Sequence, residues 1–404
     1  MSPDTLLSST EDISRSSLLQ ESTSPSKPVP SQQHVQSNLE FYRSQLPQLL
    51  DVILARDCLS FCPILREDFI HDFAAGSGQN CSAALIDALL ALATLLAREK
   101  IVALAAPYPE GELQEDLGNA FAQEAIAALY SEEGLPQNVA DIQALGILAL
   151  YCLGCGKMND GLGFASDFGA AIAEQWRIRQ SDPNFAHRQT YATIYCAAVS
   201  FNRLLFLIQD YHKTLDGLAI KVGLERSPLH ESGSIDSTIS STNLSGSIID
   251  DAFFEKDLSL LPNSPKVVAA KVFEFTEWVY KARFTVEKSF DQAVKLYQNG
   301  LQWYESFFAY TSSCTNETPL VLFAHTYYHF GVMCLLTPYV LESVAVASDG
   351  TLPIMVCKQA AGSIGELVQH YSKLYNDGQL LDFMPFFKAA AVAFLEICEA
   401  KIPA

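Results

Sequence analysis

Basic residues are scarce in this chain. Its 404 residues include 26 Lys and Arg against 46 Asp and Glu, so the formal net charge is −20. A protein that neutralises the phosphates of DNA, RNA or an anionic membrane does so with clustered Lys and Arg side chains. The shortage of basic residues therefore argues against direct binding of this chain to nucleic acid or to an anionic membrane.

Long apolar runs are also missing. The most apolar stretch, residues 83–97, is interrupted by Asp87 and is shorter than the roughly 20 residues that a bilayer requires. The first residues show no basic segment followed by an apolar one, which is the pattern of a secretory signal. We therefore expect no membrane-spanning helix, and we expect the protein to reside in the reducing interior of a cell.

The ten cysteines do not follow the pattern of a disulfide framework. Most of them lie inside apolar segments, where a cysteine thiol behaves as a small apolar residue. Two pairs are closely spaced, Cys58 with Cys62 and Cys152 with Cys155. Zinc takes four ligands, however, and no second pair stands at the usual distance from either. We interpret both pairs as core cysteines, with metal binding as the alternative.

His325 and His329 have the i, i+4 spacing that can present two imidazoles to one metal ion. In a helix of a zinc protease a Glu follows the first His directly, and here Thr326 stands in that position. We interpret the two histidines as core residues that are hydrogen-bonded to the backbone, and metal binding is the alternative. The sequence predicts no complete metal site, so we expect purified protein to hold less than one zinc ion per chain.

Sequence motifs of the common enzyme classes are absent. The chain contains no G-x-S-x-G, Walker loop, G-x-G-x-x-G or H-E-x-x-H. Four glycines form a Gly-rich turn, but it follows a predicted helix, whereas a phosphate cradle follows a strand. Four acidic residues border a polar segment, and we interpret them as a solvated charge cluster. We therefore predict no catalytic residues, no cofactor site and no enzyme. The glycines are Gly154, Gly156, Gly161 and Gly163, and the acidic residues are Asp250, Asp251, Glu255 and Asp257.

Composition divides the chain into four segments. Residues 1–37 are dominated by Ser, Thr, Pro and Gln, which cannot bury enough apolar surface to offset chain entropy. Residues 38–225 and 266–404 carry helical patterns, whereas residues 226–265 include the aperiodic polar run ESGSIDSTISSTNLSGS. We predict a disordered tail, a helical domain in two halves, and a low-complexity insert between them.

Apolar residues recur at three- and four-residue spacing along both halves, which indicates amphipathic helices. Ser82 is predicted to cap one helix, and the Gly154-Cys155-Gly156 break is predicted to end another. Alternating strand patterns are almost absent, so we predict an all-α fold, one domain of ten or more helices. Besides a pattern that begins at residue 38, the predicted helices lie at 81–98, 118–130, 141–153, 162–177, 190–209, 265–308, 319–341, 353–375 and 383–400.

Four stretches of the sequence, taken in order, carry a resemblance to a known family. They are FCPILREDF at 61–69; CSAALIDALLALA at 81–93; IQALGILALY at 142–151, with residues 161–173 after it; and LQWYES at 301–306, with FAHTYYH at 323–329 and PY at 338–339. Together they resemble the fungal-specific transcription factor domain, the middle homology region of fungal zinc-cluster regulators. The nearest branch is that of the nitrogen-assimilation and xylanolytic activators. The resemblance covers about residues 40–400, with a gap at the insert.

The resemblance implies an all-helical regulatory region without catalytic residues. Members of that family carry an N-terminal cluster of six cysteines that binds two zinc ions and contacts DNA. Here the first cysteine is Cys58, inside the helical region, and no basic run precedes it. The family's aromatic, Asp-Arg and Gly-Arg positions are replaced by Tyr195-Cys196, Asn202-Arg203 and Gln209-Asp210.

From this resemblance we expect a nuclear transcription regulator that controls gene expression through protein partners. The partner would be another regulator or a second copy of the chain. Alternatively, the protein includes a DNA-binding part that is missing from this sequence. Zinc is expected only if such an N-terminal cluster exists, and the changed positions favour a modulatory or repressive role. The alternative is a non-DNA-binding interaction or ligand-sensing scaffold derived from the same domain.

Overall fold

The computed structural model describes residues 32–76, 79–104, 113–130, 134–179, 188–224, 265–284, 289–311, 319–341, 352–375 and 383–401. Within these residues the regular structure is helical and no β-strand occurs, which confirms the predicted all-α fold. The first helix begins at Gln32, before the pattern predicted from residue 38. The rest of the predicted tail, and the predicted insert up to residue 264, lie outside the described residues.

Two short 3-10 helices, at Asp57–Phe61 and Thr337–Tyr339, accompany thirteen α-helices in the described residues. We number the α-helices α1 to α13 in chain order. They are Gln32–Leu54, Arg66–Ala75, Ala83–Leu96, Arg98–Leu104, Leu113–Leu129, Val139–Gly154, Met158–Arg179, Arg188–Lys221, Pro265–Phe284, Phe290–Thr311, Pro319–Leu336, Pro353–Tyr375 and Met384–Lys401.

The helix ends follow the local chemistry of the sequence. The Ser82 side chain accepts a hydrogen bond of 3.1 Å from the backbone N–H of Leu85, which confirms the predicted cap of α3. The end of α6 is a Schellman turn, because the N–H of Lys157 donates to the carbonyl of Cys152 at 2.8 Å. Gly156 supplies the left-handed residue of that turn, with a φ of 74°.

Two predicted helices differ from the observed ones by the widest margins. The helix predicted at 190–209 is α8, which continues to Lys221 because Tyr211, Leu215 and Leu218 extend its buried apolar face. The pattern predicted as one helix at 265–308 forms α9 and α10, and residues 285–288 between them lie outside the described residues. Both errors arise because apolar periodicity marks helical phase more clearly than helix ends.

Contacts divide the described residues into a larger compact unit, from Arg43 onward, and a smaller unit before it. Within the larger unit, α3 packs against α5 and α6, and α6, α7, α8 and α9 then pack in succession. The later helices continue the arrangement, since α11 packs against α9, α10, α12 and α13. The last helix, α13, returns to pack against α8.

Phe61, at the end of the first 3-10 helix, lies at the centre of an aromatic cluster. Its ring centroid is 5.8 Å from that of Phe201 in α8, 5.7 Å from Phe323 in α11 and 5.0 Å from Phe383, just before α13. All four side chains are fully buried or nearly so. A segment near the start of the unit is therefore part of the core that the last helices complete.

Candidate functional site

Five charged side chains at the interface of α8 and α9 form what we call the charge cluster: Arg203, Asp210, Glu277, Lys281 and Arg283. Arg203 Nη1 donates to Glu277 Oε2, and Lys281 Nζ lies 2.7 Å from the other oxygen of that carboxylate. The side chains of Arg203 and Glu277 are 16% and 12% exposed, so this ion pair is mostly shielded from water. The shielding strengthens the attraction but makes loss of either partner costly.

Aromatic rings surround the arginine of this pair. The guanidinium carbon of Arg203 lies 5.0 Å from the ring centroid of Tyr280 and 5.7 Å from that of Phe273. Such positions allow cation–π attraction. Burial raises the pKa of Tyr280, and the charge of Arg203 opposes part of that shift. The tyrosine therefore stays neutral and serves as a packing surface for the cation.

A second ion pair continues the cluster along the same interface. Arg283 Nε donates to Asp210 Oδ2 at 3.1 Å, and Arg283 Nη2 donates to the same oxygen and to Thr214 Oγ1 at 2.9 Å. Every member of the charge cluster is thus paired within it. The arrangement fixes α9 on α8.

Four of the six positions that differ from the pattern of the resembling family make specific contacts in the structure. Tyr195 stacks on Trp176 of α7 at 6.1 Å between ring centroids, and Asn202 Nδ2 donates to the carbonyl of Ala165 at 2.8 Å. Arg203 and Asp210 belong to the charge cluster. The sequence singled out these residues of α8 but not their partners on α9. The i, i+4 spacing of Glu277 and Lys281 was the available signal.

His325 and His329 face Tyr304 of α10 from the surface of α11. Tyr304 Oη and His325 Nδ1 are 2.5 Å apart, and the rings of Tyr304 and His329 lie 6.2 Å apart. Burial lowers the pKa of each histidine to about 4, and His329 adds to the shift of His325. Both imidazoles are therefore neutral at physiological pH, and His325 is hydrogen-bonded to a side chain of the neighbouring helix.

The cysteine pairs differ in their surroundings. Cys62 is fully buried and donates to the carbonyl of Gln143 at 3.3 Å, and burial raises its pKa far above the usual value. Cys58 belongs to the first 3-10 helix, and its side chain lies outside the described residues. Cys152 is buried as predicted, but Cys155 is exposed, so its interpretation as a core cysteine is wrong. Cys155 follows the last residue of α6, where the chain turns toward solvent.

The predicted Gly-rich turn follows a helix as expected, but only two of its four glycines belong to the turn. Gly154 ends α6, Gly156 forms its left-handed turn, and Gly161 and Gly163 lie within α7. The predicted acidic cluster at 250–257 lies outside the described residues. Among the residues that the structure describes, no group of three or more His, Cys, Asp or Glu side chains is placed to hold a metal ion.

The four stretches that carry the family resemblance contact one another in the core. Gln143 Nε2 donates to the carbonyl of Pro63 at 2.7 Å and so joins the first stretch to the third. The Phe61 ring packs edge-on against Phe323, which joins the first stretch to the fourth. The second stretch forms most of α3, which packs against α6 of the third. Stretches far apart in sequence thus form a connected packing unit.

One helix of the described residues, α8, is long and apolar enough to cross a membrane by length and composition. It packs against α7, α9 and α13, and 72% of its most apolar window is buried within the protein. The apolar run at 83–97 drew attention in the sequence, whereas this helix, interrupted by polar residues, did not. Burial of this kind is typical of a core helix, so α8 gives only weak evidence for a membrane.

Comparisons of the chain with protein-family models, with curated proteins and with solved structures find no match. The resemblance noted in the sequence therefore stays a prediction.

Proposed function

We propose that this chain is a helical regulatory module of a transcription regulator, and that it acts in the nucleus through protein partners. The observation that carries the proposal is the contact between the resembling stretches. The Gln143–Pro63 hydrogen bond and the Phe61–Phe323 contact join three of them within one core. Stretches that define a domain family are expected to meet in this way, because they specify its packing.

The charge of the protein supports action through partners. A net charge of −20 repels nucleic acid phosphates, so a role in transcription would require contact with another regulator or with an attached DNA-binding part. The same charge favours partners with basic surfaces, because complementary charge speeds association and suppresses wrong pairings. The charge cluster holds α8 and α9 together as a rigid support for such contacts.

The proposal is tested by joining the full chain to an unrelated DNA-binding domain and measuring a reporter gene in the nucleus. We expect reporter transcription to change, with repression favoured over activation. The control variant is Ala144→Pro, which places a proline in the buried middle of α6, breaks that helix and should abolish the effect.

A second measurement separates this function from its alternative. The tagged chain is located in its own cells, and transcripts are compared with and without its gene across growth conditions. Nuclear residence with altered transcripts supports the regulator. Cytosolic residence with unchanged transcripts would overturn the proposal and favour an interaction or ligand-sensing scaffold.

A further inference from the structure

The turn after α6 carries a buried thiol and an exposed thiol close together in the chain. Cys152 lies in the last turn of α6 with 5% of its surface exposed, whereas Cys155 is exposed and caps the helix. Both residues are thiols, not disulfides, in this structure. Of the cysteines whose side chains the structure describes, Cys155 is the exposed one. A dissolved oxidant would therefore reach it first.

Helix geometry places the two cysteines close together. Cys155 keeps near-helical backbone angles, with φ of −83° and ψ of 0°. Residues three apart on a helix have Cβ atoms roughly 5–6 Å apart, whereas the Cβ atoms of a disulfide lie about 3.5–4.5 Å apart, so a bridge requires the turn to tighten by about 1–2 Å. Cys155 also contributes to the raised pKa of Cys152, an influence that requires the two groups to be near neighbours.

The chain has room for this adjustment on the Gly156 side of Cys155, where nothing lies within 4 Å of a Cβ built on the glycine. The Gly154 side is tighter, because a Cβ there would lie 2.8 Å from Leu95 Cδ1. The Schellman hydrogen bond from Lys157 to Cys152 holds the two ends of the turn together while the Cys155 side chain rotates.

We propose that Cys152 and Cys155 form a redox site, in which hydrogen peroxide converts the two thiols into a reversible disulfide. The Cys155 thiolate attacks one peroxide oxygen, the O–O bond breaks, and a sulfenic acid and one water form. The Cys152 thiolate then attacks the Cys155 sulfur, the S–O bond breaks, and the hydroxide takes up a proton and leaves as a second water. Two thiols lose two electrons and two protons, and one peroxide is reduced to two waters.

The surroundings of Cys152 determine which of the two thiols reacts with peroxide first. Burial, together with Asp160, raises the pKa of Cys152 to about 12, so this thiol is a poor first nucleophile. It is suited to the second step, where the partner is held beside it and the reaction is intramolecular. Because the buried Cys152 thiol ionises reluctantly, the second step should be slower than in a dedicated peroxide sensor.

Mass spectrometry of the full chain tests the proposal. The protein is treated with hydrogen peroxide, remaining thiols are blocked with N-ethylmaleimide, and the chain is cut with trypsin without reduction. Both cysteines lie in the tryptic peptide 101–157, which contains no other cysteine. We expect this peptide to become unlabelled and about 2 Da lighter, the mass of two hydrogens, and to regain two labels after dithiothreitol.

Single substitutions make the result specific. Cys155→Ser, at an exposed position, should leave the fold intact and abolish the mass change. Cys152→Ser should leave a sulfenic acid at Cys155 that dimedone traps. Cys81→Ser is the matched control, because Cys81 is also 5% exposed, and it should keep the response. The proposal is overturned if Cys155 oxidises while Cys152 stays a thiol in the unaltered chain, or if neither residue reacts.

Discussion

Arg203 of α8 and Glu277 of α9 form a mostly buried ion pair that joins two helices separated by residues 222–264 of the chain. A long connection between two helices does little to restrict their relative position. Contacts between the helices must therefore fix that position, and the Arg203–Glu277 pair is one of them.

Replacing Glu277 by Gln should destabilise the protein because it leaves Arg203 without its carboxylate in a shielded place. We expect a loss of about 2–3 kcal/mol in the free energy of unfolding, below the full penalty for a completely buried charge. Urea unfolding followed by circular dichroism measures it. The control is Arg177→Ala, which removes the exposed pair with Glu174 and should leave the midpoint unchanged. Equal effects of the two variants would contradict the importance of the charge cluster.

Two glycine substitutions should act in opposite directions. A Cβ at Gly331 in α11 would lie 2.5 Å from Phe275 Cζ of α9, so Gly331→Ala should cost about 1–3 kcal/mol despite the better helix propensity of Ala. Gly362 in α12 is exposed with nothing within 4 Å of its Cβ position, so Gly362→Ala should stabilise by about 0.5–1 kcal/mol. Thermal unfolding of both variants provides the comparison. Stabilisation by Gly331→Ala would show that the packing of α9 on α11 is looser than described.

The free energy of unfolding should fall as the pH drops through the range set by the pKa values of His325 and His329. Their pKa is about 4 in the folded protein against an ordinary 6.5, so the unfolded chain binds more protons between these values. Unfolding is therefore favoured as pH drops from 6.5 to 4, and the contribution of the histidines is fully retained above 6.5. Urea midpoints measured across pH 4–7 should fall less steeply in His325→Gln and His329→Gln. The exposed His71→Gln is the control, and an equal change of slope there would refute the assignment.

Gln143→Leu should destabilise because it removes the donor for the buried Pro63 carbonyl. A buried carbonyl without a partner costs about 1–3 kcal/mol. The matched control is Gln359→Leu on the exposed side of α12, which should change stability little. Chemical unfolding at one protein concentration measures both, and the prediction fails if Gln143→Leu matches the control.

The purified chain should not bind duplex DNA specifically. Its net charge of −20 opposes the phosphate contacts that supply most of the affinity. Fluorescence anisotropy with labelled duplexes at physiological salt measures this. Sequence-specific binding at nanomolar protein would contradict the prediction.

Apolar periodicity predicted much of this fold, because helix phase depends on side chains only three or four positions apart. Ser82 was identifiable as a cap for the same reason, since it bonds the nearby Leu85 N–H. The extension of α8 was missed because its polar residues near 209–214 resemble a helix end, whereas Asp210 and Thr214 bind Arg283 on another helix.

The candidate site was less predictable than the helices because its partners are distant in sequence. Nothing near Arg203 indicates Glu277, and nothing near His325 indicates the hydroxyl of Tyr304. Cys155 is exposed because α6 ends at the protein surface. The spacing of the two cysteines in the sequence gives no information on where that surface lies. Local sequence patterns thus identified the helices, whereas contacts between helices determine which of their polar side chains bind each other.

The position of Phe61 also determines when the protein can finish folding during its synthesis. Its neighbour Phe383 follows it by 322 positions in the sequence, so Phe61 is synthesised long before this partner. Until Phe383 is synthesised, the aromatic cluster around Phe61 lacks its last members, and the earlier helices expose apolar surface that attracts chaperones or other nascent chains. Because closing contacts between distant residues is slow, the final step should limit the folding rate. A chain that stops before α13 would therefore accumulate as an aggregation-prone intermediate.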